Sequence, residues 1–386
     1  MKIALVHDYL SQDGGAERVL RALHEVWPEA PIFVLFHNRE KIDFPADAQT
    51  RESFLARLPF CRSAFQWYLP WMPVATERHD LSGFDLVISS SSIFAKGIIT
   101  PPTSLHISYC HTPARFLWAD GHEYLSDLKH SLPIKIILSS LIHRLRLWDQ
   151  MSTARVDKLI ANSETVRQRI LKYYRRDSDV INPPVDTHLF TPKNDLGDYF
   201  VAGGRLVPYK RLDLAIKVFN RLQIPLKIFG TGPELPYLQK IAKPNIEFLG
   251  RISDSEKAKL LARARAFIHP QYEDFGITPV EAMAAGRPVI AYGKGGATET
   301  VVPGETGVLF PAQTWESLLD AVLNFHADDW DKQKLTEQAE KFSAKNFKKQ
   351  IEHYALDAYE EFERGMNQCR LPVRFAWQVE TKNQNN

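Results

Sequence analysis

Short runs of hydrophobic residues alternate along most of the chain with longer segments in which hydrophobic positions follow a helical period, such as residues 16–25 and 212–220. Several of the short runs are too uniformly apolar to keep one face in water, which is typical of parallel strands buried on both faces. They predict β-strands at residues 3–6, 32–35, 86–89, 105–109, 158–161, 199–202, 226–229, 246–248, 266–269 and 288–291. This alternation of strands and helices predicts an α/β fold with doubly wound parallel sheets.

The pattern runs twice, and 386 residues are more than one hydrophobic core usually serves. The break lies at NPPVD, residues 182–186, where two prolines stop regular structure. We place the hinge between residues 181 and 199, with an N-terminal domain over 1–185 and a C-terminal domain over 193–349. We expect the last helix, about residues 350–386, to pack back onto the N-terminal domain, and residues 382–386 to be frayed.

Charge and cysteine content exclude some classes of protein. The 48 basic and 46 acidic residues give a net charge of +2, whereas nucleic-acid-binding proteins usually carry a larger or more clustered positive excess. Cys61, Cys110 and Cys369 lie far apart, which argues against a disulfide framework or a structural zinc site. We expect them to be small buried side chains.

The first residues predict a strand rather than a signal peptide, and no run reaches the roughly 18 apolar residues of a membrane-spanning helix. We therefore expect a cytoplasmic protein. Residues 54–73 and 128–148 contain no acidic residue and combine arginine or lysine with many hydrophobic side chains. Two interpretations stay open for each segment: a core element with a basic outer edge, or a peripheral contact with the inner face of the plasma membrane.

The most informative stretch begins where a predicted strand ends near His269. A loop with Glu273 follows, and a helix is predicted to start near Thr278, since threonine is a good N-cap and the next residue is proline. The free amides of a helix N-terminus at the carboxyl edge of a parallel sheet favour phosphate binding. Glu281, on the first turn of that helix, is placed to reach diols beside the phosphate.

The phrase EDFGITPVEAMAAGRPVIA at residues 273–291 contains the two glutamates, Glu273 and Glu281, as an E-x7-E pair. It strongly resembles the signature of glycosyltransferase family 4, whose retaining enzymes have the GT-B fold. The resemblance implies two Rossmann-like domains that face a cleft, with the acceptor on the N-terminal domain and a nucleotide diphosphate sugar mainly on the C-terminal domain.

Other segments resemble the same family in the expected order, over roughly residues 1 to 350. GGRLVPYKR at residues 203–211 resembles its G-R-L-x-x-x-K element, which implies that Arg205 and Lys210 hold the diphosphate. A bidentate guanidinium and a compact ammonium both suit a leaving group that gains negative charge. GGAERV at residues 14–19 resembles the glycine loop, which implies that Gly15 approaches the donor phosphate.

YCHTPARFLW at residues 109–118 resembles relatives that build envelope and extracellular polysaccharides, which implies that His111 contacts the transferred sugar or its phosphate. ANS at residues 161–163 and NPPVD also match the family.

The resemblance also implies how the C-terminal domain binds the donor. Glu281 would contact the ribose hydroxyls, Glu273 would lie near the transferred sugar, and the base would lie near Arg251. Backbone amides would contact the sugar and the phosphate, from Asp274, Phe275, Gly276, Ile277 and Thr278.

The implied reaction retains anomeric configuration by front-face attack, and the protein supplies positioning and charge stabilisation rather than a nucleophile. No metal and no further cofactor is expected, because the nucleotide sugar is itself the substrate. The acidic run at residues 328–331 is interpreted as the start of a helix rather than a metal site.

The donor and the acceptor are less constrained than the reaction class. UDP-glucose is favoured because UDP-hexoses are common donors, and GDP-mannose is the second candidate. A lipid-linked saccharide in polysaccharide assembly is the hypothesis for the acceptor. The alternatives are a nucleotide-sugar epimerase or a non-catalytic nucleotide-sugar-binding protein on the same fold. A dehydrogenase is disfavoured, since the G-x-G-x-x-G fingerprint is missing.

Overall fold

A computed structural model describes residues 1–42, 44–45, 47–118 and 132–369. The N-terminal half contains a seven-stranded sheet in the order β3-β2-β1-β4-β5-β6-β7, in which all neighbouring strands are parallel. The strands are β1 (Ile3–His7), β2 (Ile32–Val34), β3 (Thr50–Glu52), β4 (Leu86–Ser91), β5 (Leu105–Cys110), β6 (Lys158–Ala161) and β7 (Asp179–Val180).

Among the described residues of this half, the α-helices are α1 (Gly15–Val26), α2 (Met72–Glu77), α3 (Leu132–Thr153) and α4 (Glu164–Tyr174). The chain forms short 3-10 helices at Phe54–Arg57 and Phe65–Trp71. The side chains of α1 and of β1, β2, β4 and β5 meet in one buried cluster, which includes Leu5, Leu20 and Ile88.

The C-terminal half contains a six-stranded parallel sheet in the order β10-β9-β8-β11-β12-β13. Its strands are β8 (Phe200–Gly203), β9 (Leu226–Phe229), β10 (Ile246–Gly250), β11 (Phe267–His269), β12 (Val289–Tyr292) and β13 (Gly307–Phe310). Its helices are α5 (Leu212–Leu222), α6 (Leu235–Ile241), α7 (Asp254–Ala262), α8 (Ile277–Ala284), α9 (Ala297–Thr300), α10 (Trp315–Leu323) and α11 (Lys332–Glu340).

In this half, consecutive residues of the central strands pack in two different hydrophobic clusters, one on each face of the sheet. Phe200 and Ala202 pack in the cluster on one face of the sheet, whereas Val201 packs in the cluster on the other. Ile268 and Phe267 divide in the same way. Burial of both faces explains why these strands are apolar without alternation, and the predicted doubly wound α/β fold is confirmed.

The predicted strands are present with ends shifted by at most two residues, and β3, β7 and β13 were not predicted. The acidic run at residues 328–331 does precede a helix, since the Asp331 carboxylate accepts a hydrogen bond from the Gln333 amide at the start of α11. Cys61 and Cys110 are buried and free, as expected. The predicted frayed end, residues 382–386, lies outside the described residues.

The chain passes between the halves at two points that touch. Val185 donates its amide to the Phe342 carbonyl over 3.0 Å, and its own carbonyl accepts the Ala344 amide over 2.9 Å. The last helix, α12 (Ala344–Cys369), then runs along the N-terminal half. Its Phe347 and Ile351 are buried in the same cluster as Leu5.

Candidate active site

A cavity of about 310 Å³ lies between the two halves, at the carboxyl edges of both sheets. The N-terminal half lines it with residues that follow β1, β5, β6 and β7, and the C-terminal half with residues that follow β8 and β11. In parallel α/β sheets this edge is where ligands bind. The lining residues are Gly15, Ala16, His111, Thr112, Arg115, Asn162, Pro183, Tyr209, Lys210, Glu273, Asp274, Phe275, Gly276, Ile277 and Thr278.

The loop after β11 brings the N-terminus of α8 to the cavity. The helix begins at Ile277, with Gly276 as its N-cap at φ +90°. The prediction that Thr278 caps the helix was therefore wrong: the left-handed turn at Gly276 starts the helix earlier, and glycine adopts that turn at no steric cost. Glu281 consequently lies on the second turn. The Glu273 carbonyl accepts the Gly296 amide over 2.9 Å, which fixes the loop.

Lys210 and Glu273 form an ion pair at the cavity wall. Burial, followed by the charges of Arg115 and Arg205, lowers the pKa of Lys210 to about 8. The ammonium is therefore only moderately favoured, and a bound polyanion would stabilise it.

His111 ends a chain of polar side chains that leads into the N-terminal half. Its Nε2 is 2.8 Å from the Ser90 hydroxyl oxygen, and that oxygen is 3.1 Å from Nδ1 of His7. Burial, with a smaller effect from His7, lowers the pKa of His111 to about 3. The imidazole is thus neutral near pH 7, so it offers a hydrogen bond rather than a positive charge.

Arg205 and Arg251 are exposed and are not among the residues that line the cavity. Arg205 follows β8, and its charge acts on both Lys210 and the Tyr9 hydroxyl. Arg251 follows β10 at the same sheet edge.

Glu281 also lies outside the cavity lining, in a cluster of four charged groups. Its Oε1 atom accepts hydrogen bonds from Arg18 of α1 at 2.9 Å and from Lys257 of α7 at 2.8 Å. Asp254 contacts the same two cations, at 3.1 and 2.9 Å. Sequence reasoning missed Arg18 and Lys257, although Arg18 lies inside the GGAERV segment.

Further contacts across the cleft were also missed. Arg169 of α4 forms an ion pair with Asp274 and donates to the Thr112 hydroxyl over 3.0 Å. The Arg115 guanidinium lies 4.9 Å from the centre of the Tyr209 ring. The Glu299 carboxylate accepts hydrogen bonds from the first two amides of α4, those of Glu164 and Thr165.

The two halves also meet at the glycine loop. A Cβ atom on Gly15 would lie 3.1 Å from Cδ1 of Ile277, so glycine permits this close approach of α1 to α8.

Within the described ranges, no group of three histidine, cysteine, aspartate or glutamate side chains is arranged to hold a metal ion. Of the helices that the structure describes, none combines the length and the apolar character needed to cross a bilayer.

Sequence models of two families match consecutive parts of the chain. The model described as Glycosyltransferase Family 4 matches residues 13–189, and the model described as Glycosyl transferases group 1 matches residues 190–342. The boundary between the two matches falls within the segment that connects the two sheets.

Individual proteins are similar over parts of the chain. An uncharacterized glycosyltransferase of Methanocaldococcus jannaschii is 26% identical over 52% of this chain and 58% of its own length. An alpha-1,3/1,6-mannosyltransferase of Dictyostelium discoideum is 25% identical over 60% of this chain and 64% of its own length. The matches thus span less than two thirds of these relatives.

Among solved structures, sucrose-phosphate synthase from Thermosynechococcus elongatus superimposes with a TM-score of 0.71 at 17% identity, over 94% of this chain and 100% of that one. At this identity the likeness concerns the fold. It supports the same arrangement of two parallel-sheet domains around a cleft.

Proposed function

The chain belongs to glycosyltransferase family 4 and has the GT-B fold, and on this premise we propose that it transfers a hexose from a nucleotide diphosphate sugar to a saccharide acceptor with retention of anomeric configuration. The observation that carries the proposal is the convergence of Lys210, Glu273 and the N-terminus of α8 on one interdomain cavity. A cation and free helix amides suit a diphosphate, and a carboxylate beside them suits sugar hydroxyls.

The reaction that fits this site is front-face substitution. The bond between the anomeric carbon and the diphosphate oxygen breaks, the acceptor oxygen bonds to that carbon on the same face, and the acceptor proton passes to the leaving diphosphate. Lys210 and Arg205 stabilise the charge that develops on the leaving group. Neutral His111 orients the transferred sugar from the opposite wall.

The donor has two candidates. We favour UDP-glucose, because UDP-hexoses are common donors of such enzymes. A mannosyl donor, GDP-mannose, is the second candidate because the Dictyostelium relative is named a mannosyltransferase. Neither donor requires a metal or another cofactor in this proposal, because lysine and arginine supply the positive charge.

We propose a lipid-linked saccharide as acceptor and a cytoplasmic enzyme that contacts the membrane surface. The two acid-free segments support this proposal, because they lie side by side and form one surface. Their inner faces pack against each other in one hydrophobic cluster, through Leu55 and Met72 of the first segment and Ile142 and Leu145 of the second. Their outer faces expose further large apolar side chains, of which Trp67 is 83% exposed; the others are Phe60, Trp71, Ile136 and Ile137. Liposome flotation tests the contact, and absence of binding even to anionic vesicles would exclude it.

Calorimetric titration with UDP, GDP, UDP-glucose and GDP-mannose, with a chelator present, tests the donor site. We expect tight binding of one nucleotide family, and transfer to an acceptor saccharide that releases the free nucleotide. Failure to bind any of the four would contradict the proposed site. Conversion of the donor sugar without an acceptor would instead indicate an epimerase, and nucleotide binding without any turnover a non-catalytic binding protein.

A further inference from the structure

The Glu281 carboxylate is held in an asymmetric way. Its side chain is 1% exposed, and both cations that contact it, Arg18 and Lys257, bind the same oxygen, Oε1. The other oxygen, Oε2, is buried and has no hydrogen-bond partner among the described residues. An unsatisfied buried carboxylate oxygen is costly unless a bound group supplies a donor.

Lys257 is an unusual residue for its place. It lies on the buried side of α7 with Leu261 and Ala262, where helical periodicity favours an apolar side chain. Its side chain is 11% exposed, and its ammonium reaches Glu281 and Asp254 at 2.8 and 2.9 Å. A lysine that is desolvated in this way is expected to interact with its anionic partners rather than with solvent.

The start of α7 is itself fixed. Ser253 caps the helix, and its hydroxyl and amide both contact the Glu256 carboxylate in a capping box. The backbone that carries Lys257 is therefore anchored within the C-terminal half. Arg18, in contrast, reaches Glu281 from the N-terminal half, so its contact depends on how close the two halves are.

We propose that Lys257 is a positioning residue, which holds Glu281 by Oε1 so that Oε2 is kept free to accept a hydrogen bond from the ribose of the donor nucleotide. This inference rests on the proposed function, because a ribose can contact Glu281 only if the chain binds a nucleotide donor. Arg18 adds a second contact to Oε1 from the N-terminal half. Lys257 thus sets how strongly the site prefers a ribonucleotide to its deoxy analogues.

The test compares the dissociation constants of the nucleoside diphosphate that binds, UDP or GDP, with those of its 2′-deoxy and 3′-deoxy analogues. We expect the wild-type protein to prefer the ribonucleotide by about 10- to 100-fold over at least one analogue, as for hydrogen bonds to a charged group. In Lys257→Met this preference should fall at least about threefold, since the carboxylate is no longer held in one orientation.

Three variants separate positioning from a general structural role. Lys257→Arg should keep most of the preference, and Lys259→Met, which removes an exposed lysine of the same helix, should not change it. In a Glu281→Gln background, Lys257→Met should produce no further loss, because the two residues act through one contact. If Lys257→Met does not fold, Lys257→Gln replaces it in each comparison.

The outcomes distinguish the two proposals. A wild-type protein that binds UDP or GDP but shows no preference over the deoxy forms would overturn the role of Glu281 and Lys257 and leave the proposed function intact. An unchanged preference in folded Lys257→Met, or a full additional loss in the Glu281→Gln background, would overturn the positioning role alone. Absence of any nucleotide binding by the wild type would overturn the proposed function and this inference together.

Discussion

At the scale of single residues, Lys210 gives the site its pH dependence. A lysine is charged below its pKa, and burial together with the charges of Arg115 and Arg205 lowers the pKa of Lys210 to about 8. Nucleotide affinity should therefore weaken as the pH rises above about 8, because the ammonium that we propose as the diphosphate contact is lost. Titration of UDP or GDP between about pH 6 and about pH 10 measures this effect.

The control for this prediction is Lys210→Arg. Its guanidinium stays charged over the whole range, so its affinity should be flat where that of the wild type declines. A wild-type affinity that does not change up to about pH 10 would contradict the assignment of Lys210 to the diphosphate.

Arg205 is predicted to act on rate more than on affinity. It is exposed and lies outside the cavity lining, so we expect its charge to contribute most when the leaving group becomes more negative in the transition state. Arg205→Ala should lower kcat by about 10²- to 10³-fold, the range found for single charge-stabilising groups, with a smaller change in donor Kd. Steady-state kinetics together with calorimetry separate the two effects, and Arg205→Lys should recover part of the rate. A loss confined to donor affinity would contradict this role.

At the scale of elements, the loop that presents Arg205 depends on a glycine in the neighbouring strand connection. Gly230 follows β9 at φ +111°, and a Cβ atom there would overlap the carbonyl oxygen of Gly204. Gly230→Ala should lower the free energy of unfolding by about 2–4 kcal/mol, the sum of a left-handed alanine and an overpacked contact. Urea denaturation measures the change.

Gly304→Ala is the matched control for that variant. Gly304 also has a positive φ, +78°, but a Cβ atom there would meet no other atom within 4 Å. The conformational cost alone, about 1 kcal/mol, is expected there. Equal losses in the two variants would show that the contact with Gly204 contributes nothing.

The elements also show how far the sequence determines the structure. Central strands were predictable because both of their faces are buried, which produces continuous apolar runs such as β8 and β12. The edge strands β3 and β7 were missed, because Thr50–Glu52 and Asp179–Val180 carry no buried side chain and are held by backbone pairing. Edge strand β13 is apolar, but two of its four residues are only partly buried.

The candidate site was likewise predicted only in part from the sequence. Residues that lie within one loop and helix, from Glu273 to Thr278, were found together because they are contiguous in sequence. Contacts between Arg18 and Glu281, 263 positions apart, and between Arg169 and Asp274, 105 positions apart, were not found. Local sequence patterns do not show which residues of the two halves lie close together in space, so these pairs could be identified only from the structure.

At the scale of the whole molecule, α12 ties the end of the chain to the N-terminal half. Phe347 is 2% exposed, and its ring centre lies 5.8 Å from that of Tyr109 on β5, the strand that precedes His111. Phe347→Ala should destabilise the protein by about 3–5 kcal/mol through a cavity in the core of the N-terminal half. Thermal unfolding of the full chain measures this loss.

Leu356→Ala on the same helix serves as the control. Leu356 is 42% exposed, and a surface substitution of this kind changes stability by about 0.5 kcal/mol or less. If the two variants were equally stable, the packing of α12 would be unimportant for the N-terminal half.

The two chain crossings, which meet where Val185 pairs with Ser343, have a consequence for how such a protein can be rebuilt. Because residues 186–342 leave and re-enter the N-terminal half at one place, they form a contiguous cassette inserted into the other half, with its two ends already side by side. Insertions with neighbouring ends are well tolerated. If the donor binds to the C-terminal half and the acceptor to the N-terminal half, as we propose, a cassette from a relative that uses a different nucleotide, grafted between these two points, would combine a new donor preference with the original acceptor half in a single exchange.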